Sequence, residues 1–144
     1  MQQKLKNFWR QENGTASVDA VIWIPIFFFL TFAIMDAFIL FNRYTMTLRT
    51  VQDINRKVSL GWIRADDSTE VAAAETSVET WVANQINHYA PNATVQSVVP
   101  HPGSTDFRTY TAVSIPVDDM VATSWFKPFL NFNMTITSSH YVEF

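Results

Sequence analysis

Hydrophobic residues in this chain gather into one long block and then disperse at two different spacings. From Ala20 to Phe41 there are 22 residues, of which only Pro25, Thr31 and Asp36 are not hydrophobic. At 1.5 Å per residue a helix of this length spans about 33 Å, enough for a hydrocarbon core of about 30 Å. The residues outside it are too few to wrap a helix that is apolar on every side, so the block reads as a transmembrane span over about 18–41. Beyond it Tyr44, Leu48, Val51, Ile54 (or Asn55) and Val58 recur at three- and four-residue spacing among Arg49, Gln52, Asp53, Arg56 and Lys57. This is the pattern of an amphipathic helix over about 42–60, uninterrupted by Pro or Gly until a C-cap at Gly61. One continuous helix from about Ala16 to Leu60 is expected. Its apolar stripe has two possible partners, the chain's own globular domain or another subunit.

The second half changes period. Residues 61–69 read as a polar turn, with Asp67 and Glu70 in a D-x-x-E capping pattern and Ser68 as the alternative cap. Val71, Ala74, Val78, Trp81, Val82, Ile86 and Tyr89 trace one face of a second helix that Pro91 ends. Strands follow. Thr94–Val99 is rich in β-formers, and 101–106 carries turn chemistry. Along Phe107–Val117, Val113, Ile115 and Val117 take one side, with Arg108 and Ser114 on the other. Asp119 reads as the cap of a short helical turn running to Trp125, before Pro128. In the last run Phe132, Met134, Ile136, Val142 and Phe144 share one parity. If that strand lies at a sheet edge, another subunit could add a strand there; otherwise it packs on its own domain. The fold class is α+β, a long N-terminal helix followed by a second helix packed on a small antiparallel sheet. The domain organisation is a basic leader over 1–14, the long helix over 15–60 and a small α+β domain over 61–144.

Composition narrows the function classes. The net charge of −3 gives no basic footprint for nucleic acid, and the absence of cysteine removes disulfides, thiol chemistry and Cys-ligated metals. His88, His101 and His140 lack metal-ligand spacing, and Asp66–Asp67 and Asp118–Asp119 read as loop or cap acids. There is no Gly-rich phosphate loop, nucleophile elbow or HExxH. No catalytic residue, metal or cofactor is expected.

The candidate chemistry lies at the mouth of the apolar block. Lys4, Lys6 and Arg10 form a basic stretch, followed by Gly14-Thr15-Ala16-Ser17 and then Asp19. A secretory signal peptide is cut after its apolar region. Here the small residues precede it, the order of a type IV prepilin, so a cut at Gly14 would leave the whole helix on the mature chain. An Asp in a membrane helix costs about 2.5–3.5 kcal/mol at the centre on insertion scales and less near an end. Cleavage between Gly14 and Thr15 would create an α-amino cation four residues from Asp19, one helical turn away. Pairing with that amine, or with a neighbouring subunit's, offsets part of the cost, and an anion in the first helical turn is also favoured by the macrodipole. The plainer reading is that Asp19 only caps the helix, with Ser17 helping. Asp36 is the second carboxylate. It either snorkels to the interface, pairs with Arg43 two turns on if both side chains stretch, or docks against a polar group on a partner helix. Pro25 lacks an N–H and would kink or loosen the helix at the Val21 carbonyl.

The order Gly14, Asp19, Pro25, Asp36 within FWRQENGTASVDAVIWIPIFFFLTFAIMDAF resembles the N terminus of the TadE-like pseudopilins of the tight-adherence pilus, a type IV pilus class. The resemblance covers roughly residues 7–65, and its departure is Asp19, where such prepilins usually carry Glu. It implies processing by a prepilin peptidase after Gly14, in some prepilins with N-methylation of the new terminus. It also implies a role as a minor pseudopilin in assembling or priming the pilus, with other pilins or pseudopilins, the inner-membrane assembly platform and the lipid membrane as partners. The expected location is the bacterial inner membrane, single-pass, with the N terminus cytoplasmic and the C-terminal domain periplasmic or in a surface pilus. Flanking charge does not orient the helix, because Lys/Arg occur on both sides. The alternative is a bitopic membrane protein whose outer domain binds a ligand or partner, with no pilus role.

Overall fold

A computed structural model describes residues 15–123 and 127–142. The first helix, α1, runs Thr15–Ser59, 45 residues, and continues through Pro25. The boundary between two compact units falls between Met35 and Asp36. In the first unit the helix is exposed on nearly every side from Asp19 to Met35. It is the one helix among the described residues long and apolar enough to cross a membrane, with a mean hydropathy of 2.3 over its best window. That exposure does not fit the core helix of a soluble protein.

In the second unit the same helix becomes one wall of a hydrophobic core. Val51, Ile54 and Val58 are fully buried, with Tyr44 and Leu48 packed against them, the stripe the spacing predicts. Both alternatives at one of its positions, Ile54 and Asn55, are buried. The helix stops at Gly61, whose φ of +76° is the left-handed region that favours glycine. Trp62 N–H donates to Lys57 C=O at 3.0 Å and Gly61 N–H to Val58 C=O at 2.9 Å, the paired bonds of a Schellman cap. A Cβ at Gly61 would meet no heavy atom within 4 Å, so Gly61→Ala carries only conformational strain. It should cost about 1 kcal/mol in a denaturant titration.

Helix α2 spans Val71–Ile86 and buries Ala74, Val78, Val82 and Ile86. Trp81 is half-buried beneath the Lys57 ammonium, 4.2 Å from the ring centre. Its start corrects the expected capping pattern. Glu70 is the N-cap and makes no side-chain cap bond, its carboxylate accepting instead from Asp66 N–H at 3.0 Å. Asp67 turns to Thr69, accepting from its N–H at 2.7 Å and its hydroxyl at 2.5 Å. Those bonds hold the Asp67 carboxyl below the usual carboxylate pKa. The helix ends at Ile86, before Pro91, where Tyr89 and Ala90 N–H both turn back to the Ile86 carbonyl.

Three antiparallel strands, β1 (Thr94–Val98), β2 (Arg108–Pro116) and β3 (Asn133–Tyr141), form a sheet in the order β1-β2-β3. Val95 faces Val113, which faces Ile136, so one parity of all three strands points into the core. Val113, Ile115 and Ile136 are buried there together with Thr109 and Thr111. The β1 edge is covered by α2, as Glu79 accepts from Ser97 N–H at 3.1 Å and Glu75 from Val99 N–H at 3.3 Å. Strand β3 forms the other edge.

Two expectations in this half are corrected. A four-residue helix, α3 (Val117–Met120), follows β2, but its N-cap is Pro116 and not Asp119. Asp119 instead accepts from the backbone N–H and the side-chain amide of Asn92, both at 3.2 Å. Phe132 does not share the buried face of β3, because it precedes the strand and its N–H bonds the Leu130 carbonyl at 2.8 Å. Trp125 and Phe144 lie outside the described residues.

Candidate functional site

The polar residues that interrupt α1 are the candidate site. Gly14 lies outside the described residues, and Thr15 opens α1. Asp19 is exposed and is the fifth residue of the described helix Thr15–Ser59. It stands one turn from Thr15, the spacing at which i and i+4 side chains meet. At Pro25 the missing N–H leaves the Val21 carbonyl without its usual helical donor, and α1 runs on through it.

Asp36 does not snorkel. It is 4% exposed, and its Oδ1 accepts the backbone N–H groups of Ala122 at 3.1 Å and Thr123 at 3.2 Å. Its Oδ2 accepts the Thr123 hydroxyl. Both carboxylate oxygens thus face the loop that follows α3. Buried carboxylates need such donors, since an unpaired charge in low dielectric is far costlier than a neutral polar group. Nor does Asp36 pair with Arg43, whose Nη1 donates to the Asp119 carbonyl at 2.8 Å and whose guanidinium lies 5.9 Å from the Tyr89 ring centre.

Three further polar residues of α1 continue the line. Arg43 is one, and one turn on is Thr47, fully buried, whose hydroxyl lies 2.8 Å from the Tyr89 hydroxyl and donates to the Arg43 carbonyl at 3.0 Å. Two turns further Asn55, also fully buried, accepts the Thr111 hydroxyl at 2.7 Å and donates to the Ser138 carbonyl at 2.8 Å. Asp36, Arg43, Thr47 and Asn55 share the helix face that carries Leu40, Tyr44, Leu48, Val51 and Val58. Every one is satisfied by a group far along the chain. Such contacts define one axial and rotational position for the helix against the domain, which apolar packing alone defines less sharply. Sequence reasoning singled out Asp36, offered Asn55 only as the alternative to Ile54 on the apolar stripe, and missed Thr47 and Tyr89 as a pair. The available signal was the polar residue recurring on an otherwise apolar stripe.

Burial pushes the Tyr89 phenol above its ordinary pKa, against the pull of the Thr47 hydrogen bond and the Arg43 guanidinium. The folded chain therefore holds this proton more tightly than the unfolded chain, whose phenol ionises near 10.0. The stability tied to it is complete below that pH and is lost as pH rises through the higher folded value. Melting curves taken at rising alkaline pH should fall for the native chain and fall less steeply for Tyr89→Phe.

This arrangement fixes where α1 meets the folded unit that follows it. Among the described residues no group of three or more His, Cys, Asp or Glu could hold a metal. His88 stands edge-on to Tyr89 at 4.6 Å and His101 contacts Ser104 at 2.6 Å.

The family model described as TadE-like protein matches residues 14–54, a stretch that opens at Gly14 and includes Asp19, Pro25, Asp36, Arg43 and Thr47. No curated protein and no solved structure matches the chain. Residues 14–54, 41 of the chain's 144, are therefore similar to TadE-like protein, a stretch that takes in most of the apolar helix and stops before α2 and the sheet.

Proposed function

We propose that the chain is a minor pseudopilin-like subunit that assembles or primes a tight-adherence pilus, and that a prepilin peptidase cuts it between Gly14 and Thr15. The observation that carries this reading is the continuity of α1. Membrane-length apolar surface and the core stripe of the folded domain belong to one helix, Thr15–Ser59. A leader cut at Gly14 leaves that helix whole, whereas a cut after the apolar block would strip the mature chain of its anchor.

In this reading Asp19 is the docking residue. Its carboxylate pairs with the new terminal amine, on its own chain or on a neighbouring pilin, in a medium where an unpaired acid is costly. Asp36 holds the domain on the helix. The processed subunit stays in the inner membrane with its domain outside, among other pilins and the assembly platform.

The test is piliation of cells in which the chromosomal copy carries Asp19→Ala or Asp19→Glu. Asp19→Ala should reduce surface pili at least tenfold with the protein still present in the membrane, while Asp19→Glu should restore them. Unchanged piliation by Asp19→Ala would reduce the acid to a helix residue of no docking role. It would favour the bitopic ligand- or partner-binding alternative.

A further inference from the structure

One parity of the three strands packs into the core, and the other builds a second surface. Val98, Tyr110 and Ser139 stand opposite one another in a row across β1, β2 and β3, and Arg108 with Tyr141 forms the next row. On β2 these residues alternate with buried Thr109 and Thr111, and Thr111 bonds Asn55 of α1. The two rows therefore lie on the sheet face turned away from α1. There Val98, Asp106, Arg108, Tyr110 and Ser139 line a groove of about 490 Å3. Small-molecule clefts occupy about 300–1,000 Å3. Tyr110 is 40% exposed and Tyr141 71% exposed, so both rings are open to a ligand.

Charge in the groove is already balanced. Asp106 Oδ1 accepts both the Arg108 backbone N–H at 3.1 Å and the Arg108 Nε–H at 3.3 Å. The guanidinium also lies 5.5 Å from the Tyr141 ring centre. Among the described residues no other group bonds Asp106 Oδ2 or the Arg108 Nη atoms, which leaves an acceptor and a donor side by side. The Tyr110 and Ser139 hydroxyls can each donate and accept. An anion would meet the Asp106 carboxylate, and a cation would meet the Arg108 guanidinium. A wholly apolar group would strip water from the spare donor and acceptor without replacing it. A neutral ring with an apolar face and neighbouring hydroxyls satisfies every part. Its C–H face lies on a tyrosine, one hydroxyl donates to Asp106 Oδ2, and the next accepts from Arg108 Nη. That is the chemistry of a pyranose sugar.

We propose that this outer face of the sheet is a binding site for a neutral saccharide, held by Tyr110 and Tyr141 and oriented by Asp106 and Arg108. The site lies wholly within the Asp36–Phe144 unit. It stands apart from the processing and docking of α1, so neither reading depends on the other.

The test is a shift titration of the full-length, isotope-labelled chain in phosphocholine micelles, which carry no sugar headgroup. The probes are cellobiose, N,N′-diacetylchitobiose and lactose. At least one should bind with a Kd of about 10 mM or tighter and move the Val98, Tyr110 and Ser139 amides most. Ser139 is the smallest side chain of its row and exposed, so Ser139→Leu fills the groove without touching the core. Ser139→Leu and Tyr141→Ala should each weaken binding about tenfold, with the amide shifts of the core unchanged. No response at these amides to any of the three sugars at about 100 mM would overturn the proposal. Equal binding by Ser139→Leu would overturn it as well. Tighter binding of inorganic phosphate, or of N-acetyltryptophanamide, at the same amides would also overturn it, and would assign the groove to an anion or to an aromatic peptide side chain.

Discussion

Asp36→Ala should destabilise the 36–144 unit by about 2–4 kcal/mol, because it removes the acceptor for three donors at once. The carboxylate that takes these three bonds is 4% exposed. For a domain of this size the loss corresponds to a fall of roughly 8–16 °C in the midpoint of a thermal melt in detergent micelles. Asp36→Asn separates charge from geometry. Its amide oxygen can still accept both backbone N–H groups, and its amide nitrogen can donate to the Thr123 hydroxyl. The Asn variant should therefore keep more than half of the stability that Ala loses. Amide exchange at Ala122 and Thr123 should speed up in Asp36→Ala and stay near native in Asp36→Asn. An Ala variant melting with the native chain would mean that the carboxylate only tolerates its burial.

Asn55→Ala is the second large effect, with an expected loss of about 2–4 kcal/mol. The side chain is fully buried, and its removal leaves a small cavity, an unpaired Thr111 hydroxyl and a Ser138 carbonyl without its amide donor. The hydrogen bond from Thr111 makes a stricter test possible. Thr111→Val removes the hydroxyl that Asn55 accepts, so the double variant Asn55→Ala with Thr111→Val should lose less than the sum of the singles. A coupling of about 1–2 kcal/mol is expected from a denaturant-unfolding cycle. Strict additivity would show that the two side chains are buried side by side without energetic linkage.

The parts of this fold that depend on periodicity were legible in the residue pattern. The 45-residue helix, the face of α2 through Ala74, Val78, Val82 and Ile86, and the alternation around Val113 and Ile115 all follow from burial repeating at 3.6 or at 2 residues. Caps were less legible. Asp67 and Asp119 are both good N-cap residues by type, yet each finds a nearer or stronger partner, Thr69 in one case and Asn92 in the other. Phe132 was misplaced because parity says nothing of where a strand begins. The polar line on α1 was half legible. The carboxylate at 36 stood out against its apolar neighbours and Asn55 entered only as an alternative stripe position, while their partners are 86 and 83 residues away in the chain. No local pattern encodes contacts of that range; they come from how the α3 loop and β3 return to the helix. Gly14, Asp19 and Pro25 were read from their order along the chain, and the TadE-like match spans all three.

The central claim is that α1 is a processed pilin-type spine, and the mature N terminus tests it most directly. The chain should be recovered from the membranes of cells expressing the pilus genes and analysed by intact mass and N-terminal sequencing, beside the same chain carrying Gly14→Leu. The account predicts a native mature form that begins at Thr15, keeps its apolar helix and resists alkaline extraction, and a Gly14→Leu form that retains Met1–Asn13. A native chain that still begins at Met1, or one cut beyond Phe41, would contradict it.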